Sequence, residues 1–220
     1  MKLKIFLVPA VCTVAALAIV AGICLYHYIG IPKSVGEKEY KYRTEKISVE
    51  YNGISLYGKA LVPVGESGQK FKTVIYAHGA NSNYKSDMTT LKSLAESGIA
   101  CYTFDFYGWT SRSTGPKGTE WFKGTDMRDN DAYLLQSEDL NAVIEKVKTF
   151  DFVDTDNIFL LGSSMGGVTV ATCATTHSED IREIILQYPA IFLNEQACEV
   201  GAEYDVNRFE NPVLLLQGDN

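Results

Sequence analysis

The sequence predicts an α/β domain: a mostly parallel sheet with helices on both faces. Three observations carry that prediction. From residue 46 onward, short apolar strand-type runs alternate with helix-type patterns, the rhythm of βαβ units. One such run, Asn157 to Leu161, enters a turn of small residues, Gly162-Ser163-Ser164-Met165-Gly166-Gly167, and an apolar small-residue helix pattern, Val168 to Thr176, leaves it. Finally, His78, Asp105, Ser164, Pro189 and Asp219 each fall just after a predicted strand. A parallel sheet would bring all five to one edge, at the carboxyl ends of its strands, where such sheets hold their working residues.

Composition sets outer limits. Of 220 residues, 46% are hydrophobic and 21% charged, which is ordinary for a globular chain. The net charge is −7. With no basic stripe in the sequence, nucleic acid is excluded as a partner and phosphorylated substrates find no support. Cys12 and Cys24 lie in an N-terminal apolar run, while Cys101, Cys173 and Cys198 are scattered singly. That is neither a disulfide framework nor a zinc pattern, and no metal or cofactor is expected.

Taken in order, the chain opens with Lys2 and Lys4, followed by 21 residues without a charge, Ile5 to Leu25. As a helix this run is about 30 Å long, enough for a bilayer core. Residues 1–31 are therefore expected to form an uncleaved transmembrane anchor, with a cleaved signal peptide as the alternative. The lysines ahead of the run favour a single pass in the cell membrane with the domain outside. His27, between Tyr26 and Tyr28, suits the membrane interface. Residues 32–45 are polar and read as a linker, so the domain is expected over 46–220. Lys46 to Glu50 and Ile54 to Val62 alternate like strands about Asn52-Gly53, a hairpin signal. Thr73 to Ala77 is a short apolar strand running into His78-Gly79-Ala80.

Ser86 can cap a helix carrying Met88, Leu91, Leu94 and Ala95 on one face, with Gly98 as its stop. Ile99 to Phe104 is a buried strand. The long loop Asp105 to Asp129 follows, of a length usually functional or mobile. Asn130 to Phe150 reads as a helix, with Leu140, Val143, Ile144 and Val147 spaced as a core-facing stripe. Glu183 to Gln187 and Pro212 to Gln217 are two further strands.

The turn at Ser164 has the Gly-x-Ser-x-Gly form of a nucleophile elbow. A serine hydroxyl is a poor nucleophile unless a base reaches it and an oxyanion can form beside it. A sharp strand-to-helix turn lifts the hydroxyl clear of the sheet. The helix N-terminus then aims the Met165 backbone N–H at developing negative charge.

Together with His78-Gly79, Asp105-Phe106-Tyr107-Gly108 and Val213-Leu214-Leu215-Leu216-Gln217-Gly218, the elbow resembles the α/β-hydrolase family. Within it the chain looks most like the serine aminopeptidase S33-like branch, which includes feruloyl-esterase-like enzymes. The resemblance covers about residues 45 to 220. It implies Ser164 as nucleophile, the backbone N–H groups of Met165 and Ala80 as the oxyanion hole, and His78 as a structural histidine and not the base. It also implies a membrane-anchored serine hydrolase acting on small ester, thioester or amide substrates through an acyl-enzyme. An aspartate-nucleophile dehalogenase or epoxide hydrolase is excluded by the serine at the elbow.

The sequence departs from the family pattern in three places. Gly108-Trp109-Thr110-Ser111-Arg112-Ser113 lacks the usual second glycine. The 22 residues between Pro189 and Pro212 leave room for a short lid at most. The triad order Ser, acid, His puts the acid one residue past Asn220 and the histidine further on. His177 lies 13 residues beyond Ser164, about 20 Å along a helix, and Asp219 is out of register. The expectation is a C-terminally truncated product lacking the last strand and helix, without catalytic acid or base and with an exposed apolar edge. The alternative is a non-catalytic α/β-hydrolase-like binding module, or an inactive fragment, at the membrane.

Overall fold

The structure, a computed structural model, describes residues 39–120, 130–176, 178–190 and 208–218. The apolar run Ile5 to Leu25, His27, His177, Cys198 and Asp219 lie outside those residues. So do residues 191–207, between Pro189 and Pro212, and residues 121–129, the end of the Asp105 to Asp129 loop. Among the described residues no helix is long and apolar enough to cross a membrane.

Among the described residues nine strands and three α-helices follow in this order: β1 (Tyr42–Lys46), β2 (Val49–Tyr51), β3 (Ile54–Leu56), β4 (Gly58–Pro63), β5 (Phe71–Ala77), α1 (Met88–Glu96), β6 (Ala100–Phe104), α2 (Asn130–Lys148), β7 (Val153–Ser163), α3 (Met165–Thr176), β8 (Glu183–Gln187) and β9 (Val213–Leu216). Seven strands form one sheet in the order β1-β4-β6-β5-β7-β8-β9. From β6 to β9 every pairing is parallel, and β4 and β1 add an antiparallel margin. The mostly parallel sheet expected from the βαβ rhythm is therefore present.

Each face of the sheet has its own core. Leu91 and Ala95 of α1 pack with Leu61, Val74, Tyr76, Cys101 and Leu161. On the opposite face, Leu140, Val143, Ile144 and Val147 of α2 and Val170, Cys173 and Ala174 of α3 pack with Ile75, Tyr102, Phe104 and Leu160. The stripe on α2 follows from its 3.6-residue period. The central strands read as unbroken apolar runs because they are covered on both faces.

Three local expectations are corrected. Residues 42–45, assigned to the linker, form most of β1. Its half-exposed sequence Tyr-Arg-Thr-Glu-Lys reads as linker because edge strands carry charge where they meet water. The hairpin about Asn52-Gly53 does form, with φ of 45° and 76°, but its strands β2 and β3 make a separate two-stranded sheet and the chain re-enters the main sheet at Gly58. Lastly, Ser86 does not cap α1. Its hydroxyl bonds Ser82, and the cap position falls to Asp87, which makes no capping bond.

Candidate active site

Parallel registers align Ala77 with Gly162 and Ser163 with Gln187. The segments after β5, β7 and β8 therefore leave the sheet at one edge. β7 ends at Ser163 and α3 begins at Met165, so Ser164 alone makes the turn. Its φ of 52° is left-handed, a conformation costing a side-chain-bearing residue of order 1–3 kcal/mol and concentrated at functional sites. Small neighbours make the turn possible. A Cβ on Gly162 would lie 2.3 Å from the Gly166 carbonyl oxygen, one on Gly166 2.1 Å from that of Ala77, and one on Gly167 2.8 Å from the Pro189 Cβ. Backbone bonds hold the turn: the Ser164 N–H donates to Gln187 O at 3.0 Å, and the Ser164 carbonyl accepts from Gly167, Val168 and Ala190. Ser164 is half-buried.

The preceding side chain ties this turn to three other elements. Ser163 Oγ lies 2.6 Å from Gln187 Oε1 and 3.1 Å from Asp87 Oδ2, and accepts from the Tyr76 hydroxyl at 3.3 Å. Asp87 holds a φ of 51° while its carboxylate makes that contact, which is why it leaves the α1 N-terminus uncapped. The end of β7 is thus bonded to β5, β8 and the start of α1.

His78 is fully buried. Its Nδ1 lies 2.8 Å from Gly79 O and its Nε2 accepts from the Phe106 N–H at 3.4 Å. This pattern defines a neutral ring protonated on Nδ1, and burial pushes its pKa below the ordinary histidine range. With both nitrogens engaged, His78 has no lone pair to offer Ser164. It braces the segment after β5 instead. There a Cβ on Gly79 would lie 3.4 Å from the Ser164 Cβ and 3.3 Å from Ser163 O, so the Gly79-Ala80 backbone rests against the elbow. Among the described residues the Ala80 N–H donates to no backbone carbonyl. Met165 opens α3, and a first-turn N–H has no partner within its helix.

Asp105 is also fully buried and fully engaged. It accepts from the Tyr84 N–H at 2.8 Å, the Thr110 hydroxyl at 3.0 Å and Arg112 Nε at 2.5 Å. It joins the loops after β5 and β6.

Two residues escaped sequence reasoning. Gln136 on α2 accepts from the Thr169 hydroxyl at 2.8 Å and directs Nε2 toward Met165 Sδ at 3.5 Å. It fixes the first turns of α3. Asp139, buried on the same helix, accepts from the Tyr51 hydroxyl and, at 2.8 Å, from the Tyr107 N–H. Burial pushes its pKa up to about 7, against the lowering effect of both hydrogen bonds. The available signal was spacing, since Gln136 and Asp139 continue the period of Leu140 and Val143 and so occupy core positions with polar side chains.

A sequence model for the family described as serine aminopeptidase, S33, matches residues 68–203. The comparison with curated protein sequences found no match. Among solved structures, the ferulic-acid-bound Est1E from Butyrivibrio proteoclasticus is 20% identical with a TM-score of 0.61, over 79% of this chain and 78% of that one. A dienelactone hydrolase from Anabaena variabilis is 16% identical with a TM-score of 0.59, over 81% and 87%. DcsB, in complex with its substrate analogue, is 19% identical with a TM-score of 0.55 over 67% of this chain. The chain spans 45% of DcsB, under half its length. Likeness at these identities shows the fold.

Proposed function

The chain belongs to the serine aminopeptidase S33 family, and on that premise we propose that it is a serine hydrolase cleaving ester, thioester or amide bonds of small acyl substrates through Ser164. The observation that carries this reading is the strained backbone of Ser164, φ 52°, held at the strand-to-helix turn by glycines whose side-chain space is already filled. Strain of this kind persists where the surrounding structure over-determines it. Here it presents a hydroxyl at the head of a helix.

The chemistry follows from that placement. Ser164 Oγ attacks the substrate carbonyl carbon, and its proton leaves to a general base, a role His78 is not free to take. The carbonyl oxygen becomes an oxyanion facing the N–H groups of Met165 and Ala80. Removing one such donor typically costs about 10²–10³ in rate. Collapse, with the base returning that proton to the leaving group, expels the alcohol, thiol or amine and leaves the acyl group on Ser164. Water, giving a proton to the same base, then attacks the acyl carbon and releases the acid, and the proton returns to Ser164. The ferulic acid bound to Est1E and the dienelactone hydrolase among the structural neighbours support small carboxylic esters as the substrate class. The uncharged run Ile5 to Leu25 supports anchoring in the cell membrane, with Lys2 and Lys4 favouring a domain outside it.

A serine-directed fluorophosphonate tests the nucleophile. The full chain is expected to take up one label and Ser164→Ala none. Label retained by Ser164→Ala refutes the assignment. A chain that neither labels nor turns over p-nitrophenyl acetate returns the reading to a non-catalytic binding module.

A further inference from the structure

The sequence has a net charge of −7 and no basic stripe, yet the fold assembles a basic cluster at the sheet edge that carries Ser164. Its centre is a pair of tyrosines, Tyr57 between β3 and β4 and Tyr84 after β5, with ring centroids 5.0 Å apart. Four cations surround them. Lys46 Nζ lies 5.0 Å from the Tyr57 ring; Lys59 and Lys85 Nζ lie 5.7 and 5.8 Å from the Tyr84 ring. Arg112 Cζ sits 5.2 Å from Tyr84 and 5.9 Å from Tyr57.

The four come from separate parts of the chain: β1, β4, and the loops after β5 and β6. Arg112 has a carboxylate, Asp105. Lys46, Lys59 and Lys85 enter none of the ion pairs among the described residues. Lys46 and Lys59 are moreover register partners on adjacent antiparallel strands. Two like charges so opposed destabilise a sheet. The tyrosine faces offset part of that repulsion, because a ring face attracts a cation. What remains is three lysine charges, Lys46, Lys59 and Lys85, that enter no ion pair among the described residues.

We propose that Lys46, Lys59, Lys85 and Arg112 form a docking point for an anionic group, a carboxylate or phosphate, on the substrate. The four residues lie on, or just after, strands one to four positions from β7 in the sheet order β1-β4-β6-β5-β7, so the anion is held about 5–20 Å from Ser164 at the usual strand spacing. The substrate is then an ester or amide whose far end carries negative charge. Lysine ammonium groups supply mobile donors to either anion, and Arg112, fixed by Asp105, supplies a permanent charge. The site stands on the geometry of these residues, whereas assigning the anion to a substrate rests on the hydrolase reading of Ser164.

The experiment separates the two. Isothermal titration of the full Ser164→Ala chain with inorganic phosphate, and separately with sebacate, tests the site without turnover. At least one of these anions is expected to bind, and the responding probe identifies its chemistry. Affinity should fall about tenfold in Lys46→Ala/Lys59→Ala/Lys85→Ala and fade on raising salt from about 50 to about 500 mM. It should be unchanged in Lys70→Ala, at the opposite sheet edge. Absence of binding to both probes, or equal binding by the triple variant, overturns the site. The native chain is then compared on p-nitrophenyl decanoate and the mono-p-nitrophenyl ester of sebacic acid, ten-carbon chains differing at the far end. The triple variant should lose kcat/KM on the sebacate ester and keep it on the decanoate. Equal effects on both esters overturn the substrate assignment while leaving the binding result standing. Turnover of neither ester by the native chain counts against Ser164 as nucleophile and leaves titration to decide the site.

Discussion

At the scale of single residues, the candidate site depends on close backbone approach more than on side-chain contact. Gly166 is the clearest case, since a Cβ there would lie 2.1 Å from Ala77 O and 2.7 Å from His78 O. Both are backbone atoms at the root of the loop that carries Ala80, and neither can swing aside like a side chain. Gly166→Ala is therefore expected to lower stability by about 1–3 kcal/mol, read as a lower urea midpoint, and to abolish fluorophosphonate labelling. A variant that keeps its midpoint and its label would show that the turn relaxes around the methyl group. Sequence spacing made Gly162, Ser164 and Gly166 legible because turn chemistry is local. The partners of Asp87, by contrast, could not be read from it. An aspartate just before a helix reads as a cap, and its actual contact, Ser163, lies 76 residues away.

At the scale of elements, α2 has two functions. Leu140, Val143, Ile144 and Val147 fill the core, and just ahead of them on the helix Gln136 and Asp139 fasten it to its neighbours. Asp139 bridges the β2–β3 hairpin, through Tyr51, to the segment after β6, through Tyr107. Its carboxyl binds a proton up to about pH 7 in the folded chain and releases it near the ordinary carboxylate value when unfolded. Between those limits the folded state holds more protons, so stability falls as pH rises from about 4 to about 7. Asp139→Asn removes this dependence while keeping an acceptor for Tyr51. Thermal melts from pH 4 to 8 should therefore show a flatter profile for Asp139→Asn than for the native chain. Parallel profiles would mean Asp139 titrates as if exposed. The period of the helix was readable, but the polar residues on its buried side were not interpretable, because their partners belong to other elements.

At the scale of the whole molecule, one margin of the sheet differs from the rest. Val213, Leu214, Leu215 and Leu216 of β9 are 39–49% exposed, whereas the strands inside the sheet are covered on both faces. Among the described residues β9 pairs only with β8, and an apolar strand at the margin of a sheet is a template for pairing with other chains. Leu214→Lys is expected to reduce self-association, measured as light scattering at constant protein concentration, and unchanged scattering would place the sticky surface elsewhere. Much of the architecture was already determined by sequence alone: the βαβ rhythm, the order of strand ends, the hairpin about Asn52-Gly53 and the turn at Ser164. Each of these rests on interactions between residues close in the chain, so period and turn chemistry suffice to reveal it. Other features were decided only by tertiary structure. It made Tyr42–Lys46 an edge strand, engaged both nitrogens of His78, buried Asp139 and gathered Lys46, Lys59, Lys85 and Arg112 around two tyrosines. In each case the deciding partner is distant in sequence, and burial and charge density are properties of what the folded chain brings together.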